Sequence, residues 1–213
     1  MPAALEAGSL VLHTSLTSPF GRKVRMAALC AGVDHLLAIV PADAAHPAPA
    51  LLAANPLGKM PVLVLPDGRG VFDSRVIVEV LDGIAGNAVL LPRDPGHRLD
   101  VLCQQALADG MLDATVLRVY ESRHRSPEMH SASWLALQDG KVERALGFAE
   151  TRLAGREVPA APHAGDITLA VALGFLDRRV SRAWRGAHPR LAAWLERFEA
   201  ACPAYAATQP PAA

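Results

Sequence analysis

Short apolar runs bounded by turn residues fill the first 85 residues of the chain, and helical periodicity fills the rest. Leu10 to His13 is an apolar run ending in Thr14-Ser15, which predicts a buried strand feeding a loop. Ser18-Pro19 then reads as a helix start, because serine caps free backbone N–H groups and proline is tolerated at the first helical position. Val24, Ala27, Ala28 and Ala31 follow at helical spacing until Gly32 stops the helix. Leu36 to Val40 predicts a second strand. Pro41 to Pro56 is rich in alanine and proline with little periodicity, so an irregular connection with at most a short helix is expected. Pro66-Asp67-Gly68 is turn chemistry between the apolar runs Val62 to Leu65 and Gly70 to Phe72, a hairpin pattern. Val76, Ile77, Val80, Leu81 and Ile84 then repeat at helical spacing.

In order, these elements make the βαβ plus ββα arrangement of a thioredoxin-like domain, assigned to residues 1–85. Residues 86–97 are interrupted by Pro92, Pro95 and Gly96 and read as a linker. Residues 98–213 read as an all-helical domain. Leu99, Leu102, Cys103, Ala106, Leu107, Met111, Ala114 and Leu117 form one stripe, and Leu135, Val142, Leu146, Ala149 and Leu153 a second, which predicts two long antiparallel helices. Asp166 to Leu176 is apolar nearly all round, as a central buried helix would be, and Leu191, Trp194, Leu195 and Phe198 mark an amphipathic one. The fold class is thus α/β plus all-α, an N-terminal thioredoxin-like domain followed by a C-terminal helical bundle.

Composition narrows the function classes. Lys plus Arg and Asp plus Glu both count 21, so the net charge is zero and no broad basic field exists for nucleic acid or an anionic membrane. Cys30, Cys103 and Cys202 lie far apart without metal-ligand spacing, which predicts no metal and fits a reducing cytoplasm. Met1 to Leu10 carries Glu6 and no basic start, and Ile167 to Leu176 is too short an apolar run to span a bilayer.

From the residues alone, Pro61 before a β-run reads as a trans proline opening an edge strand, since cis bonds make up only about 5–6% of X-Pro bonds. Asp73-Ser74 reads as a helix cap. Arg22, Lys23 and Arg25 read as a solvated helix face.

Taken together, Ser18-Pro19-Phe20, Asn55 to Val62, and Phe72-Asp73-Ser74-Arg75 before a helix ending Leu81-Asp82 resemble the glutathione transferase superfamily. The likeness continues through Pro162 to Leu169 and covers nearly the whole chain. It is nearest to bacterial members whose first helix starts Ser-Pro-Phe, akin to the omega and zeta classes.

The resemblance implies that Pro61 is cis and that the Met60 backbone pairs with the cysteinyl part of glutathione as an added strand would. It implies that Asp73 faces the γ-glutamyl ammonium, and that the γ-glutamyl carboxylate meets the helix start at Asp73-Ser74. Ser18 matches the catalytic serine of zeta-type enzymes and the catalytic cysteine of omega-type ones, so its hydroxyl is the expected partner of the glutathione thiolate. Thr17 and Ser15 offer alternative hydroxyls. A serine here also disfavours disulfide exchange, which needs a mixed disulfide.

Two positions depart from the family pattern. His163 replaces the Ser or Thr of a capping box, leaving only Asp166. Ala44 to Pro47 carries no lysine or arginine to meet the glycyl carboxylate; Lys59 is the candidate substitute, with a solvated lysine the alternative reading. Met111, Thr115 and Tyr120 are candidates to line the second-substrate pocket.

The implied activity is a glutathione transferase of the detoxification type. Its co-substrate is glutathione, its second substrate a small electrophile, and its assembly a homodimer. A glutathione-binding interaction module and a glutathione-dependent isomerase or reductase are the alternatives. Retention of both Ser18 and Asp73-Ser74 favours an enzyme over the binding module, and product analysis separates conjugation from isomerisation or reduction.

Overall fold

The computed structural model describes residues 6–86, 88–152, 156–159 and 161–211. The first five residues of the N-terminal reading and Leu153 of the second helical stripe lie outside the described residues. The first elements follow the patterning: β1 (Leu10–Thr14), α1 (Pro19–Cys30), β2 (Leu37–Pro41), α2 (Pro49–Ala54), β3 (Val62–Val64), β4 (Gly70–Val71) and α3 (Ser74–Ile84). They build a sheet of order β2-β1-β3-β4. β1 and β2 are parallel across α1, and β3 is antiparallel to both β1 and β4. Alternation along β1 turns Leu10, Leu12 and Thr14 inward. Val24, Met26, Ala27 and Ala28 of α1 and Ile77, Val78 and Leu81 of α3 are buried with them.

The first turn of α1 rests directly on the end of β1. A Cβ on Gly21 would come within 1.9 Å of Thr14 Oγ1, so glycine is required for that approach.

The stretch expected to be a linker is pinned. The buried carboxylate of Asp82 accepts backbone hydrogen bonds from Ala88 (3.2 Å), Val89 (2.9 Å), Leu90 (2.7 Å) and Leu91 (3.3 Å). Leu90 and Leu91 are buried. Helix α4 (Pro95–His124) then starts within the expected linker. Asp94 Oδ1 accepts from the His97 N–H at 2.8 Å, and Pro95 takes the first helical position. The Asp94-Pro95 pair is a helix start that the following glycine obscured in the sequence.

The remaining elements are α5 (Ala132–Arg152), α6 (Ala164–Arg179), α7 (Trp184–Ala187), α8 (Pro189–Ala201) and α9 (Pro203–Ala207). The chain divides into two compact units. One comprises the residues up to Arg98 together with those from Ala204 onward, and the other is Leu99–Pro203. The C-terminal segment therefore departs from the helical domain expected over 98–213. Its attachment to α1 supplies the reason. Arg22 Nη2 donates to Tyr205 O at 2.9 Å and its guanidinium lies 4.1 Å over the Tyr205 ring, while Arg25 Nη2 donates to Thr208 O at 3.2 Å. This also corrects the reading of Arg22, Lys23 and Arg25 as a solvated face: Arg22 and Lys23 are buried.

In the second unit α4 and α5 are antiparallel, joined by Arg118–Asp139 (2.7 Å) near one end and Arg152–Asp100 (4.0 Å) near the other. Residues Ala164 to Leu173 of α6 are all buried, as the continuous apolar run predicts. Leu191, Trp194, Leu195 and Phe198 of α8 face inward, with the Trp194 and Phe198 rings 5.2 Å apart.

The face buried by α4 differs from the expected stripe. Val101, Gln105, Ala108, Met111, Leu112 and Thr115 are buried, whereas Leu99 is 61% exposed and Leu117 39%. Buried Gln105, Asp109 and Thr115 broke the apolar pattern on the true inner face. Among the described residues no helix is long and apolar enough to cross a membrane.

Candidate functional site

The strand register brings three loops to one end of the sheet. His13 near the end of β1 pairs with Val62 at the start of β3, and Leu63 pairs with Val71 at the end of β4. The loop from β1 into α1, the Met60-Pro61 approach to β3 and the start of α3 are therefore gathered together. These carry Ser18, Met60 and Asp73-Ser74.

Ser18 caps α1 from an extended backbone conformation, its Oγ accepting from the Gly21 N–H at 3.2 Å. The cap uses an oxygen lone pair and leaves the hydroxyl proton available to an anion. The neighbouring hydroxyls are bonded to each other, so one of the two protons is committed and the accepting hydroxyl keeps its own. Ser15 Oγ and Thr17 Oγ1 lie 2.9 Å apart, and the Thr17 N–H donates to Ser15 Oγ at 3.2 Å.

The Met60–Pro61 peptide is cis, as is Phe72–Asp73. Buried Asn55 shapes the loop before Met60, its Nδ2 donating to Lys59 O (2.9 Å) and its Oδ1 accepting from the Leu57 N–H (3.0 Å). The backbone N–H and C=O of Met60 make no hydrogen bond to the described residues. The Lys59 side chain is exposed.

Asp73 caps α3, with Oδ1 accepting from the Arg75 N–H at 2.9 Å and Oδ2 from Arg75 Nη2 at 3.1 Å. Partial burial draws the Asp73 carboxyl upward. The Arg75 N–H and guanidinium, reinforced by the charges of Arg75 and Lys23, outweigh that effect and hold it below the ordinary carboxylate range. A depressed carboxyl contributes stability above its unfolded value, about 3.9, and loses it as pH falls through the lower folded value.

Ser74 is buried and its Oγ accepts from Lys23 Nζ at 3.3 Å. Lys23 and Asn55 are the site residues that sequence reasoning left without a role. Lys23 carried a signal: with Met26 and Ala27, both fully buried, it occupies positions three and four apart on α1.

In the second unit the His163 N–H donates to Asp166 Oδ2 at 3.3 Å, and Gln104 Nε2 donates to Asp166 Oδ1 at 2.9 Å. Asp166 thus supplies its half of the capping box and also ties α6 to α4. Met111 and Thr115 are core residues, with Thr115 Oγ1 donating to Met111 O at 2.7 Å. Tyr120 instead lines a cavity of about 640 Å³ with Leu117, His124, Met129 and Trp134, at the end of α4 and the start of α5. Buried Glu121, accepting from the Ser131 N–H at 2.8 Å, joins the two sides of that elbow.

A small mixed sheet of thioredoxin-like topology followed by a helical unit defines a class of two-part proteins, and the comparisons identify which one. The sequence model for the glutathione S-transferase N-terminal domain matches residues 17–84, and that for the glutathione S-transferase C-terminal domain matches residues 132–197. The uncharacterized GST-like protein YibF of Escherichia coli (strain K12) is 34% identical over 202 residues, 93% of this chain and 98% of that one. A glutathione transferase family member from Pseudomonas fluorescens Pf-5, solved with bound glutathione, superposes with a TM-score of 0.84 at 39% identity, covering 96% of this chain and 100% of that one. A glutathione S-transferase from Methylobacillus flagellatus KT with glutathione bound gives a TM-score of 0.87 at 36% identity, covering 95% and 100%. The chain belongs to the glutathione transferase family.

Proposed function

We propose that the protein is a glutathione transferase in which Ser18 activates the glutathione thiol for attack on a small electrophile. The observation that carries this reading is the gathering of Ser18, Met60 and Asp73-Ser74 at one end of the sheet. The open backbone of Met60 suits the cysteinyl amide and carbonyl of glutathione, as an added strand would. The ionised Asp73 carboxylate suits the γ-glutamyl ammonium, and Ser74 the γ-glutamyl carboxylate. Lys59, exposed beside Met60, is the group proposed for the glycyl carboxylate. Two glutathione-bound relatives above 35% identity support the ligand. The Ser18 hydroxyl, which retains a proton to donate, favours an enzyme over a non-catalytic binding module.

Calorimetry tests the binding half of the proposal. Asp73→Ala combined with Ser74→Ala is expected to weaken glutathione binding by at least about tenfold, because charge-assisted hydrogen bonds are lost. Equal affinity in the parent and the double variant would put the site elsewhere.

The assembly proposed is a homodimer. Val76 on α3 and Leu99 on α4 are exposed apolar residues at the positions where the two helices open. Sedimentation at micromolar concentration is expected to give twice the mass of one chain. A single-chain mass at that concentration would reject the dimer.

A further inference from the structure

We propose that Lys23 is a positioning residue for glutathione. Buried beneath Ser74, it directs the Ser74 hydroxyl toward the γ-glutamyl carboxylate and sets the site's preference for an anion there. The inference rests on the glutathione-binding reading above.

Lys23 is fully buried, on the face of α1 that also buries Met26 and Ala27. An ammonium group in such a place costs several kcal/mol unless polar partners compensate it. One partner is Ser74 Oγ, 3.3 Å from Nζ, on the first residue of α3. A lysine ammonium only donates, so this contact engages a lone pair of the serine oxygen and turns the hydroxyl proton away from Lys23. The Ser74 hydroxyl is thereby oriented as a donor.

The adjoining groups fit the two ends of an amino-acid head. The Asp73 carboxylate is held ionised by Arg75 and, more weakly, by Lys23. Its negative charge suits an ammonium. The Arg75 N–H is already taken by Asp73, and the Ser74 hydroxyl, backed by a buried positive charge, is placed beside the other N–H groups of the helix start to meet a carboxylate. A low-dielectric setting makes that charge count for more than an exposed lysine would. It discriminates between a ligand with a carboxylate at this point and one with a neutral amide.

The test compares glutathione with its analogue carrying a carboxamide in place of the γ-glutamyl α-carboxylate, using calorimetry on the whole chain. The parent is expected to prefer glutathione by about tenfold or more. Lys23→Met is expected to abolish most of that preference by weakening glutathione while leaving the carboxamide within about twofold. A merely structural role would weaken both ligands alike, and that result would overturn the proposal.

Should Lys23→Met fail to fold, Ser74→Ala takes its place, since it removes the hydroxyl through which Lys23 acts. It is expected to lose the same preference. A parent that binds both ligands equally would overturn the proposal without any variant. A parent that binds neither would remove the glutathione reading itself, and this inference with it.

Discussion

Ser18→Ala is expected to lower kcat/KM for glutathione conjugation about tenfold at pH 6, with the deficit closing near about pH 8 and reversing above it. A thiol of pKa about 8.5 is only a few per cent ionised at pH 7. One hydrogen bond from the Ser18 hydroxyl, together with the start of α1, is expected to lower that value by about 2 units, roughly 2.7 kcal/mol in favour of the thiolate. Losing the shift reduces the thiolate fraction at pH 6 about 75-fold. Part of this is offset, because a thiolate of lower pKa is also a weaker nucleophile, by about sixfold for 2 units. Glutathione affinity, measured at pH 6 where free glutathione is a thiol, is expected to change by less than about threefold. A rate deficit that is the same at every pH would assign Ser18 a structural role, that of capping α1 through Gly21.

Asp82→Ala is expected to destabilise the fold by about 3–5 kcal/mol, the largest loss for any single side chain considered. Its carboxylate is buried and accepts four backbone N–H groups, those of Ala88, Val89, Leu90 and Leu91. Leu90 and Leu91 carry their own N–H groups into buried surroundings, so alanine at 82 leaves buried donors without an acceptor. Asp82→Asn keeps one oxygen for the Val89, Leu90 and Leu91 groups but turns an NH2 toward the Ala88 N–H, and about half the loss is expected. Urea unfolding with a constant m-value measures both variants. A loss below about 1 kcal/mol for Asp82→Ala would mean that water or a shifted backbone replaces the carboxylate.

The order of elements along the first domain, the hairpin and the buried α6 were legible because period-two and period-3.6 patterns report directly on burial. The caps at Ser18 and Asp73 were equally plain, since Ser-Pro and an aspartate before a helical stripe have few other local uses. The face of α4 was not legible, because Gln105, Asp109 and Thr115 are buried by neighbours that a single helix does not announce. Lys23 and Arg22 were misread for the same reason: their burial depends on Ser74 and Tyr205, 51 and 183 positions away in sequence. The tie between Asp82 and the segment after α3 was also invisible, as a carboxylate folding back onto its own chain leaves no periodic trace. At the candidate site, the sequence marked Ser18, Lys59, Met60, Asp73 and Ser74 but left Lys23 and Asn55 without a role. The strand register supplies what gathers the loops that carry Ser18, Met60 and Asp73-Ser74 at one end of the sheet.

We propose that this chain lowers the pKa of a bound glutathione thiol through Ser18. This is tested most directly by following the ultraviolet absorbance of the thiolate against pH in the glutathione complex of the parent, Ser18→Ala and Thr17→Ala, with circular dichroism to verify the fold. The expected midpoint is about 6.5 for the parent and for Thr17→Ala, and about 8.5 for Ser18→Ala. An unchanged midpoint in Ser18→Ala with a raised one in Thr17→Ala would transfer the role to Thr17. A midpoint near 8.5 in the parent itself would contradict the account.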